Sequence, residues 1–244
     1  MSPEEPRPLA LVTGASRGLG EVIARTLAGK GFDRILTARD GAALERVGRA
    51  LAVHGGRTVV LPGDVTDARH RARLVAEVAG TGGLDLLVNN AAILGPTPLP
   101  ELALARLDDL ERVYRTNLVA PVALVQALLP ALKARHGLVI NLSSDAAVGG
   151  YPGWGNYGAS KAALDLASLT LAHELATAGV AVVAVDPGDM KTPGAEPAFP
   201  PSEFVQRPPP DVTLPFWAWL LGQPHAEITG RRFRAQADHW GLPP

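Results

Sequence analysis

Between positions 9 and 235 the chain alternates short apolar runs with longer segments whose apolar residues recur at helical spacing. Strand-like runs fall near 9–13, 34–38, 57–61, 84–89, 137–142, 180–185 and 230–235. Helical patterns fall near 19–30, 40–53, 67–80, 104–116, 118–135, 157–177 and 212–221. Near-continuous apolar strands are buried on both faces, and this alternation buries them as a parallel sheet with helices on each side. The expected class is therefore α/β, one doubly wound parallel sheet forming a single domain over 1–244. Asp67 and Asp211 stand where helix N-caps are useful, and Gly31, Gly137 and Gly179 follow helical runs as stops do.

The first strand leads into the second informative feature. Leu9-Ala10-Leu11-Val12-Thr13 is followed by Gly14-Ala15-Ser16-Arg17-Gly18-Leu19-Gly20, three spaced glycines opening a helix. That context suits a dinucleotide-binding turn, as in a Rossmann fold. Glycine lets backbone approach a pyrophosphate, and the helix start offers its amide groups. The spacing is Gly-x-x-x-Gly-x-Gly, so a purely structural turn is the alternative. About 20 positions beyond, where an acidic residue would bind the ribose hydroxyls of NAD, stand Ala38 and Arg39. A guanidinium there can grip a 2′-phosphate, with Arg17 as a second cation, so NADP(H) is favoured over NAD(H). The alternative is that Arg39 is merely solvated beside Asp40.

Tyr157 and Lys161 lie four apart, on one face of a helix, and Ser144 ends a strand-like run thirteen residues before the tyrosine. A neighbouring cation favours phenolate, so the lysine is expected to lower the phenol's pKa from its ordinary value near 10. The trio reads as acid/base chemistry on a carbonyl or alcohol, with the serine hydroxyl holding the oxygen. Alone the pair is unspecific; beside the glycine turn it gains weight. The chain has only four lysines against nineteen arginines, yet places one among small apolar residues. A compact, tunable charge is what a proton relay needs.

These motifs, in this order, resemble the short-chain dehydrogenase/reductase (SDR) family. The set is Thr13 to Gly20, Asp64-Val65, Asn89-Asn90-Ala91-Ala92, Asn117, Ser144, Tyr157 with Lys161, and Pro187-Gly188 followed by Thr192. The resemblance covers roughly Leu9 to Ala235. One departure is Ala92, where the family has glycine, which puts the shape of the 91–96 loop in question. The resemblance implies cofactor contacts from Gly14, Ser16, Arg17, Gly18, Leu19, Gly20, Ala38 and Arg39. It implies that Asp64 and Val65 flank adenine, that Asn89, Asn90 and Ala91 line the floor, and that Pro187, Gly188 and Thr192 meet the nicotinamide end. Tyr157 would donate the proton, Lys161 would also bond the nicotinamide ribose, and Asn117 would hold a water relaying protons to Lys161. Taken alone, Asn117 looks like a helix break.

Composition narrows the rest. Net charge is −1, from 23 basic and 24 acidic residues, so neither nucleic acid nor a membrane surface is an expected partner. No run approaches the roughly 18 apolar residues of a membrane span. Cysteine is absent, and the six histidines form no ligand-spaced pair, so no metal is expected and the histidines read as surface or helix-end residues. Residues 1–8 are polar and proline-rich, a flexible start unlike a signal peptide, and the cytoplasm is the expected location.

The segment 193–215 holds eight prolines and follows a strand's carboxyl end, where ligands bind. It is expected to supply a substrate loop, over 189–212, rather than a plain linker. Ile93, Leu94, Ala146 to Trp154 (with Val148 and Tyr151), Met190 and Phe199 should wall an apolar or aromatic pocket for a small carbonyl or alcohol. The leading function is an NADPH-dependent carbonyl reductase, equivalently an alcohol dehydrogenase. A reductase of carrier-bound 3-oxoacyl chains and a non-catalytic nucleotide sensor or scaffold are the alternatives. The helices at 104–135 and 157–177 are apolar beyond one buried face, which predicts a homo-oligomer, tetramer favoured over dimer.

Overall fold

The computed structural model describes residues 7–241; the flexible start expected at 1–8 lies, up to position 6, outside the described residues. Seven parallel strands form one sheet in the order β3-β2-β1-β4-β5-β6-β7. They are β1 (Leu9–Thr13), β2 (Asp33–Thr37), β3 (Thr58–Val60), β4 (Leu86–Asn89), β5 (Leu138–Leu142), β6 (Ala181–Asp186) and β7 (Arg232–Arg234). Order reverses between β1 and β4, and a ligand crevice opens outside the carboxyl ends of strands at such a point.

Alternation along the strands builds two cores. Ala10, Val12, Leu36, Val88, Ile140 and Val183 face one side, under α1 (Gly18–Gly29), α2 (Gly41–Leu51) and an aromatic group with Phe216 at its centre. Leu11, Ile35, Leu87, Val139 and Val182 face the other, under α3 (Ala68–Ala79) and the helices that follow β4 and β5. Truncating a buried leucine such as Leu128 to alanine would cost about 2–5 kcal/mol.

The two helices expected at 104–116 and 118–135 are one. α4 (Leu107–Tyr114) runs through a π segment, Arg115–Val119, into α5 (Ala120–Arg135), 29 residues without a break. By length and composition alone this run could cross a membrane, but Leu124, Leu128 and Leu132 pack it against the sheet. Asn117 therefore sits in a π-bulge, not at a helix break, and such bulges are frequent at functional sites. α5 ends on His136 in the left-handed region, so the stop falls one residue before Gly137. α6 (Ala146–Gly149) and α7 (Gly155–Leu175) follow β5.

Two caps and one histidine need correction or comment. Asp67 caps α3 through the Arg69 N–H, as expected. Asp211 caps nothing; it lies inside the 3-10 turn Pro210–Thr213 and pairs with Arg25 of α1. His70 is buried, bonded at 2.7 Å to Thr37 Oγ1, and its burial lowers its pKa. Its predicted surface position fails because Thr37 is a tertiary partner, 33 residues away.

The proline-rich segment is a chain of short turns: a 3-10 turn at Glu196–Ala198, α8 (Pro201–Phe204) and the 210–213 turn, leading to α9 (Leu214–Leu220). Fixed φ at each proline suits such turns. The Lys191 N–H donates to Pro208 O at 2.8 Å and closes the segment on itself.

Candidate active site

The glycine turn is built around Thr13 and Asn90. Thr13 Oγ1 accepts the N–H groups of Asn90 and Ala91 at 2.9 and 3.0 Å. Asn90 Nδ2 donates to the carbonyls of Thr13 and Gly14 at 2.9 and 3.1 Å, clamping the turn to β4. Gly14 has φ +66°, which favours glycine, and a Cβ on Gly20 would overlap the Gly14 carbonyl oxygen. No side chain caps α1, so its first N–H groups are left for a ligand. Ala92 has no left-handed backbone, which explains why alanine replaces glycine there.

A cavity of about 410 Å³ opens over this turn. It is lined by every residue expected to bind cofactor but two: Gly14, Ser16, Arg17, Gly18, Leu19, Gly20, Ala38, Arg39, Asp64, Val65, Asn90, Ala91, Tyr157, Lys161, Pro187 and Thr192. One exception is Gly188, in a turn at φ +75°, which lines a second cavity. Asn89 is also misplaced by the sequence reading. It is buried beneath the floor, donating to Asn141 Oδ1 at 2.8 Å. The Thr66 N–H and hydroxyl outweigh burial and hold the Asp64 carboxyl below the usual range, with Arg39 assisting. Arg17 and Arg39 are exposed and form no ion pair among the described residues, while Asp40 is engaged as the N-cap of α2. A glycine cradle, open amides and two uncommitted guanidiniums fit a phosphorylated dinucleotide.

The second cavity, also about 410 Å³, brings together Leu94, Ala146, Tyr151, Trp154 and Met190, with Phe199 and Arg207 from the proline-rich segment. Ile93 faces the first cavity instead, and Val148 is 74% exposed on the outer side of α6. Tyr157 lines both cavities, Lys161 only the first and Ser144 only the second.

The reactive trio departs from expectation in one respect. Lys161, 2% exposed, donates to Leu142 O at 2.6 Å and sits 5.6 Å from the Tyr157 ring centroid. Burial lowers its pKa to about 8, partly opposed by Asp165. Burial likewise pushes the Tyr157 phenol above its ordinary value; the Ser144 hydroxyl lowers it, and Asp186 and Asp145 raise it further. Burial is the largest influence on the phenol, and it opposes the shift that a neighbouring cation would produce. The Asn117 amide donates to Ile93 O at 2.9 Å and Ser160 Oγ at 3.0 Å and accepts from the Ile93 N–H at 2.9 Å.

Three groups escaped the sequence reading. Asp145 accepts from Ser144 Oγ at 3.0 Å and from the Ala146 N–H at 2.9 Å; its position beside Ser144 was the available signal. Arg232 on β7 donates to Ser144 O at 2.7 Å, to Asp165 at 2.8 Å and to Asp186 at 3.4 Å, tying β5, α7 and β6 together beneath the site. Asp186 is buried, which raises its carboxyl pKa against the Gly188 N–H and Arg232. Nothing local marks either of these two.

A family model described as short chain dehydrogenase matches residues 8–202. L-xylo-3-hexulose reductase of Hypocrea jecorina is 36% identical over 200 residues, covering 74% of this chain and 66% of that protein, just under two thirds of its length. Among solved structures, a short chain dehydrogenase from Shigella flexneri complexed with NADP superposes with a TM-score of 0.87 at 28% identity, over 94% of this chain and 97% of that one. The 3-ketoacyl-(acyl-carrier-protein) reductase of Brucella melitensis complexed with NADH gives 0.83 at 27%, over 93% and 96%.

Proposed function

The chain belongs to the short chain dehydrogenase family, whose members bind a nicotinamide cofactor, and from that premise we propose that it is an NADP(H)-dependent reductase of apolar or aromatic ketones and aldehydes. The observation that carries this reading is the position of Tyr157 on the wall shared by two cavities, with Lys161 on one side and Ser144 on the other. When bound, the nicotinamide supplies hydride to the carbonyl carbon. Ser144 and Tyr157 hold the carbonyl oxygen as negative charge develops there. Because burial keeps the phenol protonated, Tyr157 enters the reaction as the acid and donates its proton to that oxygen. Lys161 then offsets the phenolate, and Asn117 holds a water that relays protons to Lys161. Arg17 and Arg39 support a 2′-phosphate, hence NADP(H) over NAD(H). The 189–212 segment acts as the substrate loop.

A carrier-bound 3-oxoacyl substrate is the second reading, favoured by the likeness to the Brucella protein. Three carboxylates in the substrate cavity weigh against an acidic carrier. Initial rates for a panel of ketones, aldehydes and one 3-oxoacyl thioester, each with NADPH and NADH, test both readings. We also propose a homo-oligomer, tetramer favoured over dimer. Leu166 and Leu169 on α7 are 66% and 40% exposed, an apolar face a second copy would cover. A scattering mass near one 25.5 kDa chain contradicts it.

A further inference from the structure

The two cavities differ in charge. The substrate cavity is lined by three carboxylates, Asp145, Asp186 and Asp189, against one guanidinium, Arg207. Two of the three have cationic partners, Asp186 with Arg232 at 3.4 Å and Asp189 with Arg207 at 3.0 Å. Asp145 has none in the ion pairs of the described residues, although it is half-buried and hydrogen-bonded to the Ser144 hydroxyl. A carboxylate without a cationic partner, placed on a cavity wall, is a group with which a bound cation can form a charge-assisted hydrogen bond.

Part of the same cavity's wall is aromatic. Trp154 meets the edge of Tyr157 at 5.9 Å and Phe199 at 5.3 Å. The Arg207 guanidinium already lies over the Phe199 ring at 3.6 Å, so this wall accepts positive charge. Resting on the reductase reading above, we propose that the substrate is an amino ketone whose ammonium pairs with Asp145, a few bonds from a carbonyl held by Ser144 and Tyr157. Binding the carbonyl turns the Ser144 hydroxyl away from Asp145 and removes one of its donors. The ammonium supplies a replacement and pays the lost hydrogen bond back with charge. An anionic substrate would meet three carboxylates instead.

The test uses the full chain with NADPH and three matched ketones: one with a tertiary amine, one with carbon in place of that nitrogen, one with a carboxylate there. The expected order of kcat/KM is amine, neutral, acid, with the amine at least about tenfold above the neutral ketone, a gap of about 1.4 kcal/mol. Asp145→Asn retains a good N-cap for α6, so the helix start is preserved. In that variant the amine-to-neutral ratio falls toward one, and Asp145→Glu restores part of it. A wild-type ratio at or below one, or a ratio unchanged in Asp145→Asn, overturns the proposal. Calorimetric Kd values for the same ketones on the NADP⁺-loaded protein read the preference without turnover. Should no ketone be reduced, the reductase reading fails while the binding order still decides this one.

Discussion

The cofactor cavity and the substrate cavity share Tyr157 and have similar volumes, yet they are built in opposite ways. The first is mainly backbone and strand ends: a glycine turn clamped by Asn90, the open start of α1, and residues just past β2, β3 and β4. The second is side chains from distant segments. Asp145 follows β5, Trp154 precedes α7, and Phe199 and Arg207 arrive on the proline-rich segment. A phosphate-binding turn constrains neighbouring residues in sequence, whereas a pocket specific to one substrate constrains only positions in space.

That contrast can be broken at its shared wall first. Tyr157→Phe should lower kcat by about 10²-fold or more, the low end for acid/base catalysis, with NADPH affinity nearly unchanged. Steady-state rates beside a fluorescence titration check it; a variant keeping more than about a tenth of kcat contradicts the assignment. Within the cofactor cavity, wild-type protein should bind NADPH at least about tenfold more tightly than NADH, and Arg39→Ala should erase most of the gap. Equal wild-type affinities would show the β2 end to be misread.

Lys161 sharpens the comparison through pH. Its folded pKa, about 8, lies below lysine's ordinary value of 10.5, so the unfolded chain holds more protons between those values and this group's contribution to stability rises with pH there. An anionic cofactor favours the ammonium, so binding takes up a proton. NADPH affinity should be flat below pH 8 and weaken by up to about tenfold per unit above it. Lys161→Met should flatten that dependence in a titration series. The smallest effect concerns the support beneath both cavities. Arg232→Met strands Asp165 and Asp186 and should cost about 1–3 kcal/mol in urea unfolding. It should also shift the pH profile of kcat, which a purely structural contact would leave in place.

The strand–helix alternation carried most of the fold, with element ends within a few residues, because periodicity and glycine stops are local signals. What escaped was tertiary. Asn117 joins two helical patterns through a π-bulge that spacing reads as a gap. His70, on α3, is bonded to a threonine on β2, and the Tyr157 phenol is governed by desolvation that a Tyr-x-x-x-Lys spacing cannot report. Asp211 looked like a cap because its partner, Arg25, lies 186 residues away.

The central claim, that Tyr157 gives a proton across the wall between a bound nicotinamide and a carbonyl, is tested most directly by following NADPH loss and alcohol formation in one reaction mixture. The account predicts one alcohol formed per NADPH consumed in the wild type, with both signals lost together in Tyr157→Phe while NADPH still binds. Alcohol formation by Tyr157→Phe at more than about a tenth of the wild-type rate would contradict it.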